Sequence, residues 1–206
     1  MTRLPEPAPG SLPAEVEAFL STLPSDPMVS MMALSSSTTI QFVRFAGTLF
    51  TSLELPPRTR EVVVLTVAAN TGADFVHAQH QPIADAAGVE PRVRELIADR
   101  RSDSAELSAS DAIVIRFAAG TVLSPRVSDS LFAEARQLLG DRQVAEVIQV
   151  IGFYWAFGRL STMLDVPVTT IHGDRGPGDA ASSVRFGDSA GARASSSVLP
   201  SPHDHS

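Results

Sequence analysis

The chain has 206 residues, a formal net charge of −7 and 44% hydrophobic residues. This length and apolar content predict one globular domain with one sizeable core. All sixteen basic residues are Arg, and the chain contains neither Lys nor Cys. These absences exclude thiolate, disulfide and lysine Schiff-base chemistry by the chain's own side chains. The acidic balance argues against a nucleic-acid partner.

The two ends of the sequence differ from its middle. The N-terminus has no apolar leader, and no stretch approaches the roughly 18 apolar residues of a membrane helix, which predicts a cytoplasmic protein without a membrane partner. Residues 172–206 are rich in Gly, Ser, Ala and Pro, which predicts a disordered tail. His203 and His205 flank Asp204 there and could bind a metal weakly, but a solvated tail is favoured. The predicted organisation is an N-terminal arm over 1–26, a helical domain over 27–171 and the tail.

The pattern between the ends is helical. Apolar residues recur at three- and four-residue steps, and no two alternating runs are joined by a two-residue Gly turn, so an all-α fold is expected. The stretch 61–69 is apolar on nearly every side after its first residue and predicts a helix enclosed by others. Pro82 predicts a kink within a helix over 73–87. Proline and a capping serine predict that helices start at Pro27, Pro57, Pro91 and Ser108. Glycines predict that helices end near Gly72, Gly88, Gly120 and Gly140.

Imidazole chemistry in the domain depends on two residues of one helix. His77 and His80 are three residues apart, and at 100° per residue Asp74, His77 and Gln81 form one stripe beside His80. A metal site formed by Asp74, His77 and His80 is an alternative. The i,i+3 spacing of the two His argues against it, because helical His ligands more often stand at i,i+4. No metal is therefore predicted.

Glu61 is the second unusual residue, because no charged residue occurs among the next eight positions. A buried carboxylate there needs an imidazole or an Arg as a partner. Pairing with His80 would allow general acid and base catalysis. The alternative is that Glu61 is solvated in the first turn of its helix, where an acid complements the helix dipole.

Several segments together resemble the carboxymuconolactone decarboxylase and alkylhydroperoxidase D superfamily. The resemblance covers about residues 26–168 and rests on the order in which these segments follow one another along the chain. It implies an orthogonal helical bundle of seven to eight helices and an assembly of three or six subunits. The segments that carry it are Leu55-Pro56-Pro57-Arg58-Thr59-Arg60-Glu61, residues 62–69, Thr71-Gly72-Ala73-Asp74-Phe75-Val76-His77-Ala78-Gln79-His80, Ala84-x-x-Ala87-Gly88-Val89 and residues 147–154.

The resemblance also implies which residues act. In the peroxidase branch a Glu, two Cys spaced CxxC and a His form a proton relay, and these positions fall on Glu61, Ala73, Val76 and His80 of this chain. Without thiols at the two middle positions, dithiol peroxidase activity is excluded. The Glu and His pair remains.

The decarboxylase branch of the superfamily lacks the dithiol as well. Resemblance to it implies a cofactor-independent lyase that decarboxylates a small cyclic or polyketide-like carboxylic acid or lactone. In this interpretation His80 transfers the proton, Glu61 orients it, and Arg58 or Arg44 holds the anion. His77 stands where relatives often carry a large aromatic side chain, and it is a candidate second acid/base group.

Two further residues are candidates for substrate binding, and two other classes of function are possible. Asp74 and Tyr154 are candidate substrate-binding residues, although Tyr154 could equally serve packing, as could the neighbouring Trp155. An isomerase, hydrolase or cyclase acting as a tailoring enzyme of secondary metabolism could use the same pocket. A non-catalytic helical binding protein that kept the fold and lost the dithiol is the alternative from another class.

Overall fold

The computed structural model describes residues 2–169, and this part of the chain forms eight α-helices and no strand. The all-α fold is therefore confirmed. The predicted boundary at residue 26 falls between the first two helices, and the predicted tail over 172–206 lies outside the described residues. In chain order the helices are α1 (Ala14–Leu20), α2 (Pro27–Met32), α3 (Ser36–Thr51), α4 (Pro57–Thr71), α5 (Asp74–Ala86), α6 (Pro91–Ala98), α7 (Ala109–Leu123) and α8 (Asp129–Met163).

Helix α4 lies at the centre of the bundle. It packs against α5, α6, α7 and α8, and every residue over 60–68 is buried. It begins at Pro57, whose fixed φ suits the first helical turn. It ends at Gly72, which has a left-handed φ of 65° that other residues rarely adopt. The prediction of an enclosed helix over 61–69 is confirmed, and the polar side chains over 60–68 are removed from bulk water.

Most predicted helix boundaries agree with the structure. Asp26 caps α2 by accepting a hydrogen bond of 2.6 Å from the backbone N–H of Met28, and Ser108 caps α7. Gly140 interrupts α8 with a φ of 76° and a non-helical ψ, so two predicted helices meet there. Helix α5 continues through Pro82 as far as Ala86.

The predicted end of α7 at Gly120 is wrong. The helix continues to Leu123, and Gly120 has a packing role instead of a stop role. A Cβ built at Gly120 would lie 2.9 Å from Cγ1 of Val127. The missing side chain therefore lets the segment before α8 approach α7 closely, and a glycine in a helical pattern was misread as a terminator.

Gly158 permits an equally close contact between α8 and the start of α5. A Cβ at this buried position would lie 2.8 Å from Cβ of Ala73, so Gly158→Ala forces the helices apart. We expect it to lower the free energy of unfolding by about 1–3 kcal/mol. Gly152→Ala is the matched control on the same helix, since a Cβ there meets nothing within 4 Å. It should be neutral or stabilising by up to about 1 kcal/mol.

Urea denaturation of the two variants measures this difference. Equal stabilities would contradict the close approach of α8 to Ala73.

An open surface groove of about 410 Å³ lies between α7 and α8. Ile148 and Trp155 border it, and each is 44% exposed. The remaining lining of the groove comes from residues 121–125, Ile151 and Gly152.

Within residues 2–169, no helix combines the length and the apolar character needed to cross a membrane.

Candidate active site

The central polar contact joins α4 to α5. Oε2 of Glu61 lies 2.7 Å from Nδ1 of His80. Glu61 is fully buried and His80 is 6% exposed, so the expected pairing of these two residues is realised and the solvated alternative for Glu61 is not. The two residues come together because the chain turns at the left-handed Gly72 and α5 then packs against α4.

The electrostatics of Glu61 favour its ionised form. Burial raises the pKa of the Glu61 carboxyl, but the attraction of His80 and Arg60 and their hydrogen bonds outweigh burial and hold that pKa below its ordinary value of 4.5. An ionised Glu61 accepts the proton on Nδ1 of His80, which leaves Nε2 as the imidazole nitrogen that can gain or lose a proton. Within residues 2–169, Nε2 makes no hydrogen bond.

Arg60 completes the polar cluster and was not among the site residues predicted from the sequence. Its Nε donates to Oε1 of Glu61 at 2.9 Å, and its guanidinium carbon lies 4.3 Å from the ring centre of Phe50. Arg60 is only 6% exposed. Adjacent residues on a helix point in different directions, so the pattern gave no reason to pair Arg60 with Glu61. The burial of α4 on all sides was the signal that could have found it.

Aromatic rings enclose the imidazole of His80. The Phe50 ring is stacked with it at 6.2 Å between centres, and the Tyr154 ring meets it edge-on at 4.8 Å. Burial, together with the nearby negative charge of Glu61, raises the pKa of the Tyr154 hydroxyl well above its ordinary value of 10.0. Tyr154 is therefore a neutral side chain whose ring packs against His80.

The two predicted anion-binding Arg residues lie outside this cluster. Arg58 forms a two-point ion pair with Asp111, at 2.7 and 3.0 Å, and also bonds Glu90 and the Gly88 carbonyl. It ties α4 to α7 and to the turn after α5. Arg44 is exposed and lies 5.8 Å from the ring centre of Phe19. Among the described residues neither Arg contacts Glu61 or His80, whereas Arg60 contacts the Glu61 carboxylate.

His77 and Asp74 lie on α5 but do not join the Glu61–His80 pair. Nε2 of His77 lies 2.9 Å from Nε2 of Gln81, as the predicted stripe implied. Partial burial lowers the pKa of His77, against the opposing effect of the nearby Asp74 charge, and Asp74 itself is exposed. Among the described residues, no three His, Asp or Glu side chains are grouped as metal ligands would be.

Solved structures share this helical arrangement. An uncharacterized peroxidase-related protein from Silicibacter sp. TM1040 has a TM-score of 0.68 and 18% identity, over 82% of this chain and 92% of that one. An alkylhydroperoxidase AhpD core protein from Ralstonia eutropha JMP134 has a TM-score of 0.69 and 15% identity, over 82% and 93%. The chain has the alkylhydroperoxidase D-like fold. The debrominase Bmp8, crystallised as a cysteine-to-alanine variant in complex with 2,3,4-tribromopyrrole, has a TM-score of 0.66 and 12% identity, over 89% and 100%.

No protein-family model matches the chain, and neither does any curated protein. At the identities of the solved structures, the likeness concerns the fold. The resemblance inferred from sequence segments therefore agrees with the alkylhydroperoxidase D-like fold, while the chemistry must be argued from the side chains of this chain.

Two positions separate this chain from a dithiol site on the alkylhydroperoxidase D-like fold. Ala73 and Val76, where the resemblance places two Cys, are 1% and 0% exposed. Ala73 packs against Gly158 of α8. Because the chain has no Cys, the buried cluster of Arg60, Glu61, His80 and Tyr154 has acid/base groups and no thiol.

Proposed function

We propose that this protein is a cofactor-independent lyase that decarboxylates a small carboxylic acid by proton transfer through His80. The observation that carries the proposal is the 2.7 Å contact between Glu61 and His80 in a buried site. In this chain Ala73 and Val76 occupy the two positions where the resemblance places Cys. A buried carboxylate that fixes one imidazole nitrogen leaves the other as a general acid or base.

The proposed reaction is redox-neutral. The bond between the substrate carbon and its carboxylate breaks, and carbon dioxide leaves. The electron pair of that bond passes into the rest of the substrate. The protonated imidazole of His80 then gives the Nε2 proton to the carbon that lost the carboxylate, and a proton from solvent restores it. Glu61 stabilises the imidazolium throughout because its ionised form is favoured at neutral pH.

The substrate class follows from where those electrons can go. The chain has no Lys with which to form a Schiff base, and the proposed reaction uses no cofactor. The substrate must then accept the electron pair itself. We therefore infer a cyclic or polyketide-like acid, or a lactone acid, with a carbonyl group conjugated to the carbon that loses the carboxylate.

Release of carbon dioxide from a panel of such acids tests the proposal. We expect the purified protein to accelerate carbon dioxide release from at least one cyclic β-oxo acid or lactone acid above its spontaneous rate. Conversion that retains the carboxylate would contradict decarboxylation and indicate an isomerase, hydrolase or cyclase. Ligand binding without any conversion would indicate a binding protein.

We further propose that the protein acts in the cytoplasm as a homo-trimer or homo-hexamer. The apolar surface groove supports an assembly, because its border residues Ile148 and Trp155 are large, apolar and each 44% exposed. Sedimentation at micromolar concentration tests the assembly, and a monomer there would contradict it.

A further inference from the structure

We propose that Arg60 binds the substrate oxygen on which negative charge develops during the reaction, as the anion-stabilising residue of the site. This inference deepens the proposed function and rests on it. The expected anion is an enolate oxygen conjugated to the carbon that His80 protonates.

The first supporting observation is that Arg60 is buried with most of its donors unused. A guanidinium carries five N–H groups. Nε donates to Glu61 at 2.9 Å, and Nη1 reaches the Leu49 carbonyl only at 3.5 Å. Within residues 2–169, Nη2 makes no hydrogen bond. The guanidinium is 6% exposed and keeps N–H groups without a partner among the described residues, so it has donors available for an oxygen ligand.

The second observation is the position of Arg60 relative to His80. Both side chains bond the same carboxylate, since Oε1 of Glu61 accepts from Arg60 and Oε2 accepts from His80. Both also lie against the Phe50 ring. Arg60 and His80 are therefore neighbours, and we expect a substrate whose oxygen bonds Arg60 to present an adjacent carbon to His80.

Charge explains why this oxygen is an enolate and not the departing carboxylate. A strong ion pair to the carboxylate would stabilise the ground state and would have to be broken as carbon dioxide forms. A donor aimed at the oxygen that gains charge stabilises the transition state more than the substrate. When His80 carries the proton that it delivers, His80 and Arg60 hold two positive charges against the single negative charge of Glu61, so the cluster can accept an anion beside Arg60.

Binding of p-nitrophenol tests the inference without turnover, because its phenolate resembles an enolate and has its own absorbance. We expect the wild-type protein to bind the phenolate at least about tenfold more tightly than the neutral phenol. Arg60→Gln should abolish this preference, and Arg60→Lys should keep part of it. Arg126→Gln is the control, since that side chain is 79% exposed and pairs with Asp129, and it should leave the preference unchanged.

Equal binding of phenol and phenolate would overturn the inference, as would the absence of phenolate binding at millimolar concentration. A preference for phenolate that survives in Arg60→Gln would overturn it as well. If Arg60→Gln does not fold, a crystal structure of the wild-type protein with p-nitrophenolate decides the question. The phenolate oxygen must lie within hydrogen-bonding distance of Arg60, and any other position contradicts the inference.

Kinetics separate this inference from the proposed function. If a carboxylic acid is decarboxylated, Arg60→Gln should lower kcat by about 100- to 1,000-fold with a small change in KM, because the oxyanion exists only beyond the ground state. Decarboxylation that is unchanged in Arg60→Gln would overturn the role of Arg60 and leave the proposed function standing. A phenolate preference without any decarboxylation would overturn the proposed function and leave anion binding by Arg60 standing.

Discussion

Replacing His80 with Gln is expected to lower the rate of decarboxylation by about 100- to 10,000-fold, the usual contribution of a general acid or base. Gln is similar in size and can hydrogen-bond Glu61, so the packing around position 80 should persist. It cannot carry the proton that Nε2 of His80 delivers. The measurement is kcat on the acid found in the carbon dioxide screen, with circular dichroism to show that the helical fold is retained.

The matched comparison is the same substitution at His77. Both His residues lie on α5, but His77 contacts Gln81 and, within residues 2–169, forms no ion pair with a carboxylate. We expect His77→Gln to lower the rate by less than about tenfold, below the range of a general acid. The assignment of the proton transfer to His80 would be wrong if the two variants lost activity equally, or if only His77→Gln lost it.

Replacing Glu61 with Ala is expected to lower the free energy of unfolding by about 3–5 kcal/mol. Glu61 is fully buried and is the partner of both Arg60 and His80. Its removal leaves the buried guanidinium of Arg60 without a counter-charge and opens a cavity. Urea denaturation at pH 7 measures the loss.

An exposed ion pair provides the control for Glu61. Glu90 also pairs with an Arg, but its side chain is 60% exposed and Arg58 keeps Asp111 as a second partner. Glu90→Gln should change the stability by no more than about 1 kcal/mol. A Glu61→Ala variant as stable as Glu90→Gln would show that the buried cluster does not contribute to the stability of the fold.

The same carboxylate makes stability depend on acid pH. The pKa of Glu61 is lowered in the folded chain, where His80 and Arg60 outweigh the effect of burial, relative to an ordinary value of 4.5. The stability that this shift contributes is therefore fully present above pH 4.5 and is lost as the pH falls through the folded-state value. Glu61→Gln lacks the titration, so the stability difference between wild type and this variant should shrink in acid. A difference that is constant or grows would contradict the ionised state of Glu61.

The sequence predicted the features of the fold that depend on local chemistry. Pro57 and Gly72 delimit α4, and the unbroken apolar run between them marked it as the central helix. Gly120 was misread because a glycine that ends a helix and a glycine that admits a neighbour have the same local pattern. Only the contact with Val127 distinguishes them.

The candidate site was predictable only in part, for a physical reason. Glu61 and His80 were selected because a charge in an apolar run needs a partner. Arg60 was missed because its pairing with Glu61 and its stacking on Phe50 come from side-chain orientation within the packed bundle. Arg58 was chosen instead, but it is held by Asp111, a residue 53 positions away, and no spacing rule reveals that contact.

Decarboxylation in deuterium oxide shows directly whether His80 protonates the substrate in a buried site. We expect one deuterium at the carbon that lost the carboxylate, in a single configuration, because Nε2 of His80 reaches only one face of the bound substrate. A product that is racemic at that carbon would mean that bulk solvent supplies the proton. That result, or a product without deuterium, would rule out proton delivery by His80.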